Sequence, residues 1–364
     1  MKTILANNQA IRILLFSPMP TKDAFGGISS WTVRFLNKFK NLHNVLIENI
    51  DSTPVDKRGK DIARSRNLFK KISCNYRIYK EFKKKVATFK PNILHFNSSC
   101  TPFACLRDYV FLRYCKKKKI NCILHCRCNI EDQLCGNKIG IYFFKKNLKL
   151  SSAIITLNNF SFNYASCLKR NSDNLFIVPN FVDEKIILDK KIVRNHLSKI
   201  VFVGHLVKQK GIQEIIELAK LFPDVEFVIV GGFTEDYPEK SIFPKNVDVT
   251  GNLPFDLVIK RLDEADVFLF PTYTEGFSNA LLEAMARGLP VIASNVGANR
   301  DMIENYGGII VDSNEVNELA EAIVHIRNVN VRLKMSAWNI DKVKNTYTSD
   351  VVINYFLHIY SSLV

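Results

Sequence analysis

Short apolar runs alternate along this chain with longer stretches in which apolar residues recur at spacings of three and four. Ile11 to Phe16 is followed by a glycine-containing loop and then by Ser29 to Phe39, with Trp31, Phe35 and Leu36 on one side. Asn92 to Phe96 precedes a helical pattern over Pro102 to Cys115, and Ala153 to Leu157 precedes one over Asn159 to Lys169. Lys199 to Gly204 precedes Ile212 to Leu221, and Ala265 to Phe270 precedes Ser278 to Arg287. Val45 to Ile50, Ile120 to His125, Leu175 to Val178, Val225 to Val230, Val247 to Thr250, Val291 to Ala293 and Gly307 to Val311 read as further strands. Helices fill Glu315 to Arg327, Val331 to Asn345 and Ser349 to Leu363. Strand, loop, helix, strand is the unit of a parallel α/β sheet, so the pattern predicts an α/β chain. Ligands of such sheets sit beyond the carboxyl ends of the strands, at helix N-termini. No regular element is predicted between Arg127 and Ser152.

One amphipathic stretch differs in charge. Residues 56–90 hold 13 Lys and Arg against three acids, Asp56, Asp61 and Glu81, with Leu68, Ile72, Tyr76, Tyr79, Phe82 and Val86 as its apolar stripe. That predicts a basic helix, either an outer helix with a solvated lysine face or one that docks on anionic lipid head groups. No nucleic-acid recognition motif accompanies the charge, so nucleic acid is not expected as a partner.

A length of 364 residues suffices for two domains with full cores. Residues 184–198 are polar and aperiodic and read as a linker between domains at 1–183 and 199–347, with a last helix at 348–364. The net charge of +16 is uneven: 32 Lys and Arg against 11 acids up to Asp183 give +21, and 19 against 24 from Glu184 give −5. A basic half joined to a mildly acidic one points to an anionic surface or ligand at the first half. No apolar run reaches the ~18 to 20 residues of a membrane helix, and Ile11 to Phe16 is too short for a signal peptide, so a cytoplasmic protein is expected. The nine cysteines lie between Cys74 and Cys167, and Cys126 and Cys128 flank Arg127. Without Cys-x2-Cys spacing they read as free thiols rather than zinc ligands.

The candidate chemistry concentrates between Phe270 and Ile303. Glu275 and Gly276 lie in a loop after a strand, Ser278 is a good N-cap, and Glu283 follows Glu275 by eight residues, inside the helix. The first amides of a helix lack internal partners and carry the positive end of its dipole, so a diphosphate is held well there. A carboxylate can accept from the paired hydroxyls of a ribose or hexose. Glu275 and Glu283 could therefore hold a sugar and a ribose, or be two solvated charges around an ordinary cap.

The stretch EGFSNALLEAMARGLPVIAS resembles the Glu-x7-Glu region of retaining nucleotide-sugar glycosyltransferases of the GT-B fold, in particular glycosyltransferase family 4. The resemblance is specific from Lys199 to Ile303. It implies two Rossmann-like domains whose parallel sheets face a central cleft, with the C-terminal helix crossing back to the first domain. Gly204, His205, Lys210, Asn252, Leu253, Gly276, Phe277, Ser278, Asn279 and Glu283 would then bind the donor nucleotide. Glu275 would hold the transferred sugar. Lys210-Gly211 matches the family's Lys-Gly, but His205 stands where the family has arginine, giving one neutral donor instead of a charged fork. Pro179-Asn180-Phe181-Val182-Asp183 resembles the family's Pro-Asn-Gly-Val-Asp junction, with Phe181 for glycine. In the first half the Gly26-Gly27 loop would face donor and acceptor, His125 at a strand's carboxyl end would reach the donor sugar, and Arg127 would meet an acceptor phosphate.

The implied reaction moves a hexose or N-acetylhexosamine from a nucleoside diphosphate sugar, a UDP-sugar ahead of GDP-mannose, to a saccharide acceptor. The basic first half suggests a lipid-linked acceptor and a peripheral place on the inner face of the plasma membrane, in O-antigen, capsule or lipopolysaccharide synthesis. The catalytic set is Lys210, Glu275 and His125. With no Asp-x-Asp motif, neither a divalent ion nor a cofactor is expected. The alternatives are a same-fold phosphorylase or epimerase, and a catalytically silent protein that binds membrane or nucleic acid.

Overall fold

In the computed structural model, residues 10–20, 26–55, 68–170, 172–238 and 243–364 are described. Residues 21–25 of the expected glycine loop and the basic segment 56–67 lie outside them. The chain divides into two compact units, Met1–Pro179 with Ile353–Val364, and Asn180–Val352.

Unit 1 holds strands β1 (Ile11–Ser17), β2 (Val45–Asp51), β3 (Ile93–Ser98), β4 (Asn121–Cys126), β5 (Ala153–Thr156) and β6 (Leu175–Ile177). They form one parallel sheet in the order β2-β1-β3-β4-β5-β6. Helices α1 (Gly27–Lys40), α2 (Leu68–Phe89), α3 (Pro102–Lys117), α4 (Ile130–Leu134), α5 (Lys138–Leu150) and α6 (Asn159–Lys169) make the crossovers. Strands β3 and β5 are buried at every residue, which is why they read as unbroken apolar runs. On one face, Trp31, Phe35 and Phe39 of α1 meet Phe356 and Tyr360, which lie beyond residue 352 and so belong to this unit. On the other face, Phe16 stacks on Phe96 at 4.2 Å, and both meet Phe111 of α3.

Unit 2 holds β7 (Lys199–Val203), β8 (Glu226–Val230), β9 (Val247–Gly251), β10 (Val267–Phe270), β11 (Val291–Ser294) and β12 (Gly308–Val311), again all parallel, in the order β12-β11-β10-β7-β8-β9. Its helices are α7 (Ile212–Leu221), α8 (Phe255–Glu264), α9 (Asn279–Ala286), α10 (Asn299–Ile303), α11 (Val316–Ile326) and α12 (Val329–Thr346). A last helix, α13 (Ser349–Ser361), starts in unit 2 and ends in unit 1.

Three readings of the pattern change. Residues 184–198 are not a free tether but part of unit 2. Buried Lys191 donates to the Asp263 carbonyl at 3.1 Å, and Arg194 reaches the Asp266 carboxylate at 3.1 Å. Helices α4 and α5 fill a stretch where none was expected. Two of the four buried positions of α5 are Gly140 and Asn147, which breaks its apolar period. In α2 the buried stripe is Cys74, Ile78, Phe82, Val86 and Phe89, whereas Ile72 and Tyr76 are 53% and 59% exposed.

Candidate functional site

In unit 2 the sequence-selected residues lie at the carboxyl ends of β7, β9 and β10. The loop 271–278 after β10 is anchored on several sides. The Thr272 hydroxyl and the Tyr273 amide both donate to the Gln209 carbonyl, at 3.2 and 2.9 Å, tying it to the turn before Lys210. The Ser294 hydroxyl donates to the Thr272 carbonyl at 2.6 Å, and the Ala298 amide to the Gly276 carbonyl at 3.1 Å. Ser278 caps α9, its hydroxyl accepting from the Leu281 amide at 3.2 Å. The Asn180 side-chain amide donates to Asn279 Oδ1 at 2.8 Å and to the Phe277 carbonyl at 3.4 Å. Asn180 is thus a supporting residue of this loop that the junction motif carried without showing its purpose.

Two glycines are fixed by the same loop. Gly211 has φ +74°, and a Cβ there would lie 2.1 Å from the Pro271 carbonyl oxygen. Gly297 has φ +54°, and its Cβ would lie 2.2 Å from the Glu275 carbonyl oxygen. Both the left-handed backbone and the missing space demand glycine. Gly297→Ala is therefore expected to cost about 1–3 kcal/mol. Chemical denaturation measures it, and unchanged stability would show that the Glu275 backbone yields freely.

Within this frame the Lys210 ammonium donates to Glu275 Oε1 as an ion pair, with side chains 24% and 17% exposed. Lys210 also sits 5.6 Å from the Phe270 ring centroid. The pair keeps a cation and a carboxylate side by side just before the start of α9. Glu283 is 8% exposed in a helix whose other residues from Leu281 to Ala286 are apolar and buried. Glu283 is the one charged residue of that stretch. His205 is exposed at the end of β7, beyond Gly204. Asn252 and Leu253 follow the edge strand β9, which β7 and β8 separate from β10. There Gly232 leaves room for the Asn252 amide, which would stand 2.7 Å from an added Cβ.

In unit 1, Gly26 is the extended N-cap of α1, and the Ser29 hydroxyl accepts from its amide at 3.0 Å. Gly27 is the first residue of the helix. A Cβ at Gly26 would meet nothing within 4 Å, so packing does not explain that glycine. His125 is fully buried, and both of its ring nitrogens are engaged inside the unit. Its Nδ1 lies 3.0 Å from His95 Nε2, and its Nε2 lies 3.0 Å from Arg127 Nη1. His95 Nδ1 in turn lies 2.5 Å from the Tyr360 hydroxyl. Burial pushes His95 down to about 3 and His125 well below the ordinary range, with the Arg127 charge adding to both. The two rings are neutral, so each has one N–H.

Arg127 can only donate, and that settles every proton along the line. His125 accepts at Nε2 and donates from Nδ1, and His95 accepts at Nε2 and donates from Nδ1 to the tyrosine oxygen. Arg127 stacks over Trp31 at 4.2 Å and is pushed down to about 9, by burial first and the nearby Arg34 charge second, so it stays charged at neutral pH. His95 and Tyr360 are partners that sequence reasoning passed over, since nothing marks two residues 265 apart as neighbours.

All nine cysteines are free thiols. Among the described residues no group of three or more Cys, His, Asp or Glu is arranged to hold a metal, and no helix is long and apolar enough to cross a membrane.

Residues 184–334 match the sequence model of the family described as glycosyl transferases group 1. The chain is 35% identical over 124 residues to the putative teichuronic acid biosynthesis glycosyltransferase TuaC of Bacillus subtilis, covering 34% of this chain and 31% of that protein. It is 32% identical over 216 residues to UDP-Gal:alpha-D-GlcNAc-diphosphoundecaprenol alpha-1,3-galactosyltransferase of Escherichia coli, covering 49% and 54%. The aligned parts thus span about a third to a half of these relatives. Sucrose-phosphate synthase of Thermosynechococcus elongatus superposes with a TM-score of 0.77 over 97% of this chain and 99% of that one, at 17% identity. The fold is GT-B.

Proposed function

We propose that the chain is a retaining glycosyltransferase of family 4 that moves a hexose or N-acetylhexosamine from a UDP-sugar to a lipid-linked saccharide acceptor in surface polysaccharide synthesis. The observation that carries the reading is the Lys210–Glu275 ion pair at the capped start of α9, with Glu283 buried in the same helix. A departing nucleoside diphosphate gathers negative charge. Lys210 moves from Glu275 to that diphosphate, and the amides from Gly276 to Asn279 add the positive end of the helix. Glu275, released, accepts from hydroxyls of the sugar as its anomeric carbon becomes cation-like. Glu283 accepts from the ribose, and Asn252 and Leu253 border the base. In the other unit Arg127 meets an anionic group of the acceptor, beside Gly26 and Gly27. His125, with both ring nitrogens engaged by His95 and Arg127, positions Arg127 instead of touching the sugar.

The relatives' names support a saccharide product and a UDP-sugar donor. The enzyme is placed in the cytoplasm, peripherally at the membrane. A thermal-shift panel of nucleoside diphosphates tests the reading on wild type and Glu283→Ala. At a hundredfold excess over Kd the bound nucleotide stabilises wild type by about 2.7 kcal/mol. UDP is expected to do so and to lose most of the effect in the variant. No stabilisation by any nucleotide sinks the proposal. Free monosaccharide or sugar phosphate as product points instead to the phosphorylase or epimerase chemistry of the same fold.

A further inference from the structure

Helices α2, α3 and α5 lie side by side on one face of the first sheet. Tyr79 of α2 meets Phe111 of α3 at 5.1 Å, and Tyr109 of α3 meets Phe143 of α5 at 5.4 Å. Gly140 and Pro102 touch at the helix starts, and the Asn147 amide donates to the Cys105 carbonyl at 2.9 Å. Each helix returns from one parallel strand to the next, so α3 and α5 run in the same direction. Together the three helices hold 15 Lys and Arg against two acids, Glu81 and the buried Asp108, which is +13 of the chain's +16.

The outward side chains are sorted along each helix in the same way. In α2, exposed Phe69, Ile72 and Tyr76 come before exposed Lys80, Lys83 and Lys84. In α3, Phe103, Leu106 and Val110 come before Arg113, Lys116 and Lys117. In α5, Ile139 and Tyr142 come before Lys145, Lys146 and Lys149. Lys70 and Lys138 are the outward cations of the apolar end. Helix N-termini lie at the carboxyl ends of the strands. The apolar band is therefore beside the edge that carries Gly26 and Arg127, and most of the cations lie toward the opposite edge.

We infer that this three-helix face is a docking surface for an anionic lipid bilayer, with the apolar band entering the interface and the lysine band resting on head-group phosphates. This deepens the membrane part of the proposed function and rests on it. It also extends the apolar contact from α2 to α3 and α5. The chemistry selects the partner. A second copy of the chain would bring +13 against +13. A nucleic acid or free polysaccharide would use the cations but not Phe103, Leu106 or Ile139, which need an apolar phase. The orientation also has a use, since it sets the Arg127 edge at the depth where the phosphates of a lipid-linked substrate lie.

Co-sedimentation of the full chain with vesicles tests this, using phosphatidylglycerol mixed with phosphatidylcholine, and phosphatidylcholine alone. Two variants divide the surface, Leu106→Ser with Ile139→Ser, and Lys145→Gln with Lys146→Gln and Lys149→Gln. Circular dichroism and UDP thermal shift check their fold. Wild type is expected to bind only the anionic vesicles. The lysine variant is expected to weaken binding on the order of 100-fold at low salt, each cation near the surface contributing about fivefold. The serine variant weakens binding at both low and high salt. Wild type left unbound by anionic vesicles overturns the inference. So does a serine variant that binds like wild type, which marks a purely electrostatic site for a soluble polyanion, or one that instead loses concentration-dependent self-association. The vesicles carry no saccharide, so failure here leaves nucleotide binding and the Glu283→Ala result to judge the enzymatic reading separately.

Discussion

Lys210→Ala is expected to lower kcat/KM for sugar transfer by roughly 10²–10³-fold, the usual loss when one group that stabilises a developing anion is removed. Most of the loss should fall on kcat. Lys210 already has a partner in Glu275, so part of its attraction for the ground-state diphosphate is spent on leaving that carboxylate. The full charge of the leaving group appears only as the glycosidic bond breaks, and there the cation gains most. Lys210→Arg keeps the charge but replaces a compact ammonium with a planar fork, and should recover only part of the rate. Glu275→Ala removes the other partner. Because the two act on one another, the double variant should lose much less than the product of the single losses. Steady-state kinetics on wild type and the four variants decide the matter. A Lys210→Ala enzyme within about threefold of wild type would mean that the ion pair is only structural and that the α9 amides alone carry the leaving group.

The second large effect is on stability in acid. His95 and His125 are neutral in the fold, His95 pushed down to about 3 from an ordinary 6.5 and His125 well below it, by burial. In the unfolded chain both take protons near 6.5, whereas in the fold they refuse them. Their contribution is therefore present above pH 6.5 and lost as pH falls toward 3. Each withdraws about 1.4 kcal/mol per pH unit, so the pair gives a slope near 2.7 kcal/mol per unit. Asp108 acts with the opposite sign. Burial raises it to about 6 from 3.8, against the Arg107 charge and the Ser98 hydroxyl at 2.5 Å. Its contribution is greatest below 3.8 and is lost as pH rises to 6, which cancels about one histidine in that window. A net loss of about 1.4 kcal/mol per unit remains between pH 6 and 4. Denaturant midpoints followed against pH measure this slope. Replacing both histidines with glutamine should flatten or reverse it, whatever the stability at neutral pH. A slope unchanged by that replacement would assign acid lability to other groups.

The parallel sheets were legible because their inner strands, such as β3, β5, β10 and β11, are buried on both faces and read as apolar runs between helical patterns. The Glu275 to Glu283 stretch was legible because a cap, a glycine and two carboxylates are all local, within a dozen residues. What escaped the sequence was non-local or irregular. Helix α5 buries Gly140 and Asn147, so its period is hidden. The α2 stripe was displaced because Ile72 and Tyr76 look like core residues but face outward. Asn180 could be read as a junction residue, but its bond to Asn279 joins positions 99 apart. Tyr360 gives no sign in its own neighbourhood that it ends at His95.

That last contact bears on how the protein is made. A ribosome delivers the N-terminal sheet first, and domains generally begin to fold as they emerge. Here the face with Trp31, Phe35 and His95 is covered by Phe356 and Tyr360, and the Asn121 amide donates to the Leu363 carbonyl at 2.5 Å. None of those groups exists until all of unit 2 has been translated. The nascent chain must therefore hold an aromatic surface and a half-paired histidine line open to water, and to chaperones, while more than 170 residues pass. The half of the molecule that leaves the ribosome first is the one whose packing closes last.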